Sequence, residues 1–270
     1  MNKQNKNVES EWWGSFDFLP KTRLQFQCAD LLLDLACNGN DWLMQHELKT
    51  SQQSQKTYLH SINTDDAAWE LKNQKRFVSQ KPAQKITLQP AMSDRPIVCR
   101  PTITVVLLPK EEISLYVGLP LWLKLFVDDI NKPLFDIPTE RISDTWFGPN
   151  SREGVMAYAS HASEQLETQP LIKHGVRATV ELKIKNQSDD MLILDKVSVP
   201  APNLGLYVDN AGKFWTRRIT IIREGDENAS LTIDHEMSCG LADKALTLVT
   251  GPRDDLGKNK ITKALWALFG

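Results

Sequence analysis

Residues 176–185 alternate without exception between apolar and polar side chains, in the order V-R-A-T-V-E-L-K-I-K. Successive side chains of a β-strand point to opposite faces of its sheet, so this pattern predicts a strand with one face in an apolar core and one in water. Short apolar segments recur through most of the chain, separated by polar or proline-containing turns. Many short strands divided in this way are typical of sandwiches and barrels, and the sequence therefore predicts an all-β protein.

A polar turn of sequence N-G-N-D lies between two apolar segments, 31–37 and 42–48. An Asn-Gly pair between apolar segments is a strong hairpin signal, because glycine accepts positive φ. A helix over 24–36 is the open alternative for this region. Residues 50–84 are rich in polar side chains and predict a long connection, within which 64–71 could form a short helix.

Two further hairpins are predicted in the last third of the chain. Segments 176–185 and 191–199 flank one polar turn, and segments 206–208 and 214–223 flank another that contains Asn and Gly. From residue 260 the period changes, because Ile261, Ala264, Leu265 and Leu268 follow the spacing of an amphipathic helix. The chain is therefore expected to end in a short helix.

These elements predict two packed, antiparallel β-sandwich-like lobes followed by the C-terminal helix. We expect a disordered tail over 1–10 and an N-terminal β lobe over 11–165. A C-terminal lobe over 166–256 would resemble half of an immunoglobulin-like sandwich, although it has no Cys-Trp-Cys signature. The terminal helix would occupy 257–270.

The composition excludes several classes of protein. The 270-residue chain carries 32 basic and 34 acidic residues, a formal net charge of −2, so it has no overall positive field for nucleic-acid phosphates. No apolar segment approaches the roughly 20 residues needed to cross a bilayer, and the amino terminus has no secretory signal. Four cysteines without a C-x-x-C pair are expected to be reduced thiols. We therefore expect a cytoplasmic protein without a transmembrane segment or a nucleic-acid partner.

Three stretches, 117–127, 144–158 and 177–199, together resemble the domain-of-unknown-function 432 family of archaeal and bacterial proteins. The first is similar to its apolar strand, the second to its aromatic-Gly, basic, Gly-Val motif, and the third to its long hairpin. Where that family tends to have Cys-Arg after Gly-Val, this chain has Met156 and Ala157. The family supplies no agreed activity. Some members are encoded beside small mechanosensitive channels, so the resemblance implies a membrane-channel partner and a peripheral position at the membrane.

The best site candidate is the loop over 144–154, which contains two glycines and gathers Asp144, Trp146, Arg152 and Glu153. Loops held by a rigid scaffold often carry function, and the planar guanidinium of Arg152 suits a carboxylate or phosphate. The structural alternative is a crossover in which Trp146 and Phe147 fill the core and Arg152 pairs with Glu153 or Asp144.

The terminal helix is a second candidate, because Leu265, Trp266 and Phe269 could dock in the groove of a partner. Its alternative is packing of this helix on its own sheet. The five histidines lack the spacing of metal ligands, and neither a nucleophile elbow nor a phosphate-binding glycine loop occurs. We therefore expect no metal, no cofactor and no catalytic residue.

These observations predict a non-catalytic cytoplasmic interaction or regulatory module with a protein partner. The edges of its sheets and the loop at 144–154 are the expected contact surfaces. The rival hypothesis is a small-molecule-binding protein or hydrolase, with a pocket between the two lobes and with Asp144, Arg152 and Glu153 as its working residues.

Overall fold

The computed structural model describes residues 12–18, 20–49, 58–63, 74–101, 103–128, 131–150, 152–159, 165–166, 176–225, 228–238, 246–254, 261–264 and 266–269. The predicted tail at 1–10 and the predicted helix at 64–71 lie outside these residues. Nearly every regular element of the described chain is a strand, so the all-β prediction is confirmed.

The strands vary in length from two to ten residues and are numbered in chain order. They are β1 (Gly14–Asp17), β2 (Thr22–Cys28), β3 (Leu31–Asn38), β4 (Asp41–Leu48), β5 (Tyr58–Asn63), β6 (Lys75–Val78), β7 (Lys85–Ala91), β8 (Ile97–Pro101), β9 (Val105–Leu107), β10 (Glu112–Pro120), β11 (Trp122–Val127), β12 (Phe135–Pro138), β13 (Ser143–Phe147), β14 (Val155–Ala159), β15 (Gln165–Leu166), β16 (Arg177–Asn186), β17 (Leu192–Leu194), β18 (Val197–Val199), β19 (Leu206–Val208), β20 (Phe214–Trp215), β21 (Arg217–Arg223), β22 (Asn228–Met237), β23 (Thr247–Thr250) and β24 (Ile261–Ala264). A 3-10 turn covers Ala201–Asn203, and one helical turn, α1, covers Trp266–Phe269.

The chain forms two compact units that are discontinuous in sequence. The first unit contains the described residues up to 90 together with 122–141, and the second contains those of 91–121 and from 142 onwards. The predicted lobes, 11–165 and 166–256, followed the chain without interruption and so differ from this division. The reason is β10, which pairs along its whole length with β16 and thereby joins the second unit.

The first unit contains a five-stranded antiparallel sheet in the order β5-β2-β3-β4-β6 and a four-stranded sheet in the order β1-β7-β11-β12. The predicted β3–β4 hairpin is confirmed, with Gly39 at φ 68° in its turn. The helical alternative for 24–36 is wrong, because buried and less buried residues alternate along β2 and most of β3. Trp42 stacks on Phe77 with ring centroids 4.2 Å apart in the core of this unit.

An eight-stranded sheet dominates the second unit, in the order β23-β19-β20-β16-β21-β22-β24, with β10 paired to β16 on its other edge. The alternation predicted for β16 is confirmed, since Ala178, Val180, Leu182 and Ile184 are all fully buried. A second sheet has the order β13-β14-β8-β15, with β18 also paired to β8. The strands β9 and β17 form a two-stranded antiparallel ribbon.

One predicted hairpin is confirmed and the other is wrong. β19 and β20 pair as expected, and the Asp209 carboxylate accepts backbone N–H groups of Ala211 and Lys213 within their turn. The strand over 176–185 does not pair with the segment over 191–199. Its two edges are occupied by β10 on one side and by β20 and β21 on the other. β17 and β18 pair instead with β9 and β8.

The predicted C-terminal helix over 257–270 is wrong over 261–264, and the rest of it is not shown beyond a single turn in the described residues. Residues 261–264 form β24, which pairs antiparallel with β22, and only the single helical turn α1 follows. The edge of β22 offers backbone donors and acceptors to this segment, and their pairing outweighs its helical spacing. Within the described residues, helices of the length and apolarity needed to span a membrane are absent.

Candidate functional site

The four predicted loop residues lie on the β13–β14 hairpin. Asp144 and Trp146 belong to β13, and Arg152 and Glu153 belong to the connecting loop. In the antiparallel register Trp146 lies opposite Met156, and Asp144 lies opposite Tyr158, so these four side chains share one face. Trp146 is 45% exposed and Met156 is 46% exposed. The hairpin therefore presents an aromatic and thioether surface to solvent.

Asn150 closes the loop of this hairpin. Its side-chain oxygen accepts the backbone N–H groups of Arg152 and Glu153 at 2.8 and 2.9 Å, and its backbone carbonyl accepts the indole N–H of Trp146 at 2.8 Å. Its amide donates to the Glu153 carboxylate at 3.3 Å. A Cβ at Gly148 would lie 2.0 Å from the Glu153 carbonyl oxygen, so the close approach of the two loop ends requires glycine there.

A charged cluster lies beside Trp146 on the same hairpin. Arg95 pairs with the Asp144 carboxylate at 3.1 Å, and its guanidinium carbon lies 5.3 Å from the centroid of the Tyr158 ring. The Tyr158 hydroxyl donates to the Asp94 carboxylate at 2.8 Å. Burial, together with this carboxylate, raises the pKa of Tyr158 to about 12, so the phenol stays protonated and acts as a donor.

The structure brings the predicted residues onto one hairpin but not into one ion pair. Asp144 pairs with Arg95, which sequence reasoning missed, and the Glu153 carboxylate accepts from Asn150. The structural alternative was right about Phe147, which is buried against Val98 and Ala157, and wrong about Trp146, which is exposed. The signal for Arg95 was weak, because this residue lies in a short polar loop about 50 positions before the hairpin.

A second surface, which the sequence did not predict, lies on the β9–β17 ribbon. Val106 lies opposite Ile193 in the register. Leu108 directly follows β9 and Met191 directly precedes β17, and the alternation of side chains places both on the same face as Val106 and Ile193. We call these four residues the ribbon patch; each is between 51% and 62% exposed. On the other face the ribbon buries Leu107, Leu192 and Leu194. The sequence signal that could have predicted this surface is the unbroken run of apolar residues 191–194, which places apolar side chains on both faces of β17.

Two buried polar side chains hold the ribbon patch in place. The Asn186 amide donates to the carbonyls of Leu107, Leu108 and Asp190 at 3.2, 3.1 and 2.7 Å. The Arg223 guanidinium donates to the Met191 carbonyl at 2.9 Å. Both side chains are almost fully buried, so these bonds form in a setting where their loss is costly. The ribbon is consequently presented in a fixed position.

The remaining site predictions concern the end of the chain and the histidines. Leu265 lies outside the described residues, as does the side chain of Trp266. Phe269 is buried, and α1 contacts β18, an arrangement that matches packing on the chain's own sheets. Groups of three or more His, Cys, Asp or Glu side chains placed to hold a metal ion are absent from the part of the chain that is described.

Comparison with protein families identifies a relationship. A family model described as "Protein of unknown function (DUF432)" matches residues 12–269, which confirms the resemblance and extends it from three stretches to nearly the whole chain. No curated protein and no solved structure matches the chain.

Proposed function

This chain belongs to the DUF432 family, whose description assigns no activity, and we propose that it is a non-catalytic interaction or regulatory module. The observation that carries this proposal is the ribbon patch. Clusters of exposed apolar side chains, unlike singly scattered ones, often mark sites of association. A preformed patch also binds with less ordering of its own side chains, and the bonds from Asn186 and Arg223 hold this one in place.

We assign the ribbon patch to a protein partner with an apolar surface. Two charges at the end of the ribbon, Lys110 and Asp189, pair with each other at 2.8 Å, so this lysine offers little attraction to anionic lipid. Four aliphatic side chains without a surplus of basic residues suit the core of a protein interface. The small mechanosensitive channel that the family resemblance implies is the candidate partner to test first.

The hairpin residues Asp144, Trp146, Arg152 and Glu153 form a second proposed contact. Exposed tryptophan and arginine side chains are enriched where proteins bind one another. The rival hypothesis assigned these carboxylates to hydrolysis, but Asp144 pairs with Arg95 and Glu153 helps to close the loop. These contacts support a role in holding a binding surface over a role in chemistry.

The proposal includes a cytoplasmic location. Cys28 and Cys37 are buried thiols outside any disulfide, and burial raises the pKa of both. Buried reduced thiols are typical of proteins from reducing compartments.

The test compares one change in the ribbon patch with a matched change elsewhere. Ile193→Lys adds a charge within the patch, whereas Leu248→Lys adds the same charge at an exposed leucine of the same unit outside it. The probe is a small mechanosensitive channel co-expressed with each tagged chain and recovered from solubilised membranes. We expect Ile193→Lys to reduce capture about tenfold or more and Leu248→Lys to leave it unchanged. No capture by the unaltered chain would reject the channel as partner. Equal losses in the two variants would reject the ribbon patch as the docking surface.

A further inference from the structure

An open cavity of about 690 Å³ lies on one face of the eight-stranded sheet and is lined mostly by polar and charged residues. The ribbon patch and the β13–β14 hairpin contribute no residue to this lining. Its floor is formed by side chains of β16, β21 and β22 that point away from the apolar core, among them Lys183, Thr220 and Thr232. In the register Lys183 lies beside Thr220, which lies opposite Thr232, so these three side chains form one row across the sheet. Tyr207 and Pro252 contribute to its rim. The volume falls in the range of small-molecule sites.

Cations outnumber carboxylates in the lining of this cavity. The lining contains four positively charged side chains, Lys183, Lys185, Arg217 and Arg218. It contains two negatively charged ones, Asp234 and Glu236. Arg218 is balanced internally, since it pairs with both of these carboxylates. The remaining three cations carry no carboxylate partner from within the lining.

The two lysines share one carboxylate at the border of the cavity. The Glu112 carboxylate accepts from Lys183 at 2.9 Å and from Lys185 at 3.3 Å, and this pairing lowers its pKa. One carboxylate between two ammonium groups leaves a local excess of positive charge. Thr220 donates its hydroxyl to Asp234, which fixes that carboxylate on the opposite side of the cavity floor.

Arg217 combines a place in the lining of the cavity with a buried donor that has no acceptor. Its Nε atom is buried, yet it makes no hydrogen bond within the described part of the protein. Burying a donor without an acceptor costs the free energy of its lost hydration. Native proteins rarely retain such a donor unless a water, an ion or a ligand accepts its hydrogen bond. Arg217 also lines the cavity; because its Nε atom has almost no accessible surface, a ligand oxygen there would meet the other nitrogens of its guanidinium.

We propose that this cavity binds a small oxyanion, a molecule bearing a phosphate or carboxylate group, with Arg217, Lys183 and Lys185 as its charge partners. Guanidinium and ammonium groups bind such oxygens through charge-assisted hydrogen bonds. The hydroxyls of Tyr207 and Thr232 add neutral donors around the same space. This binding is separate from the protein partner proposed for the ribbon patch, and neither proposal depends on the other.

The test uses the full chain and two chemically different oxyanions, inorganic pyrophosphate and citrate, titrated by calorimetry at low ionic strength. The variants Arg217→Ala and Thr232→Glu each lower the net charge by one within the cavity. Lys110→Ala lowers it by one at an exposed ion pair outside the cavity and serves as the control. Thr232→Glu keeps the test decisive if Arg217→Ala fails to fold, because its site is on the surface of a strand.

We expect at least one oxyanion to bind, and each cavity variant to weaken that binding about tenfold or more while Lys110→Ala changes it less than about twofold. Binding of pyrophosphate alone would identify a phosphate ligand, and binding of citrate alone a carboxylate ligand. Failure of both to bind would overturn the proposal. Equal weakening by the cavity variants and by Lys110→Ala would also overturn it, since the effect would then come from net charge alone. The proposal for the ribbon patch is tested by channel capture, so neither of these outcomes of the oxyanion titration would bear on it.

Discussion

Asn186 is the residue whose replacement should most directly loosen the ribbon patch. Its side chain is 1% exposed, its amide faces three backbone carbonyls, and its oxygen accepts the Ser188 hydroxyl at 2.9 Å. An amide has two N–H groups, so Asn186→Ala removes two donated bonds and the bond accepted from the Ser188 hydroxyl, together with a longer one accepted from the Ser188 backbone N–H at 3.3 Å. At about 1 kcal/mol for each of the first three bonds, the free energy of unfolding should fall by at least about 3 kcal/mol.

This loss is large enough to measure by thermal and urea unfolding. For a protein of this size, about 3 kcal/mol corresponds to a fall in Tm of about 6–12 °C. The control is Asn203→Ala, because the Asn203 amide makes one exposed bond to the Asp254 carbonyl at 2.9 Å, and its removal should lower stability by less than about 1 kcal/mol. If Asn186→Ala lowers Tm no more than Asn203→Ala does, Asn186 does not anchor the ribbon as we argue.

The near-isosteric change Asn186→Asp adds a pH signature. An oxygen would then face the carbonyls of Leu107, Leu108 and Asp190, which disfavours the ionised form and raises the pKa of the introduced carboxyl above its unfolded value. Stability relative to the unaltered chain should therefore be retained below about pH 4, the unfolded pKa, and lost as the pH rises. A variant whose relative stability is constant from acid to neutral pH would contradict this reasoning.

Three further predictions concern the hairpin and the core. Gly148→Ala should disrupt the hairpin loop, because its Cβ would lie 2.0 Å from a backbone oxygen. The control Gly212→Ala has open space around it at φ 75°, so it should lower the free energy of unfolding by only about 1–2 kcal/mol. Hydrogen exchange compares the two variants, and equal exchange would contradict the steric argument. Tyr158→Phe should remove a phenol that titrates near pH 12 in ultraviolet absorbance. Because the pKa of this phenol is raised on folding, its contribution to the stability of the protein is present below about pH 10 and lost as the pH rises towards 12. If the variant instead loses an ordinary transition near pH 10, the raised pKa of Tyr158 is refuted. Cys28 is fully buried with a pKa raised well above that of an ordinary thiol, so it should resist iodoacetamide in the native protein and react after unfolding, and rapid native labelling at this cysteine would contradict its position.

The sequence predicted those elements whose signal is local. The β3–β4 hairpin follows from an Asn-Gly turn between apolar segments, and Gly39 adopts the positive φ that such a turn requires. The strand β16 follows from its alternating side chains, whose apolar half is fully buried. The loop carrying Arg152 and Glu153 could likewise be placed on the surface, because its glycines and polar residues mark a turn.

The failures concern pairing between segments that are distant in sequence. β17 follows β16 in the chain, yet it pairs with β9, about 85 residues earlier, because β10 and β21 already occupy both edges of β16. The segment that forms β24 has helical spacing, but the edge of β22 pairs with it as a strand. Neither outcome has a signature within the segment itself.

The candidate sites divide in the same way. The spacing of side chains along each segment decided that this chain is built of strands and which side chains point inward, because that choice depends on burial of apolar surface by neighbouring residues. Only the tertiary structure decided that Arg95 pairs with Asp144, that four aliphatic side chains remain exposed on the ribbon, and that Arg217 shares a cavity with two lysines. These depend on which strand edges meet, and backbone hydrogen bonds join any two edges without regard to their side chains.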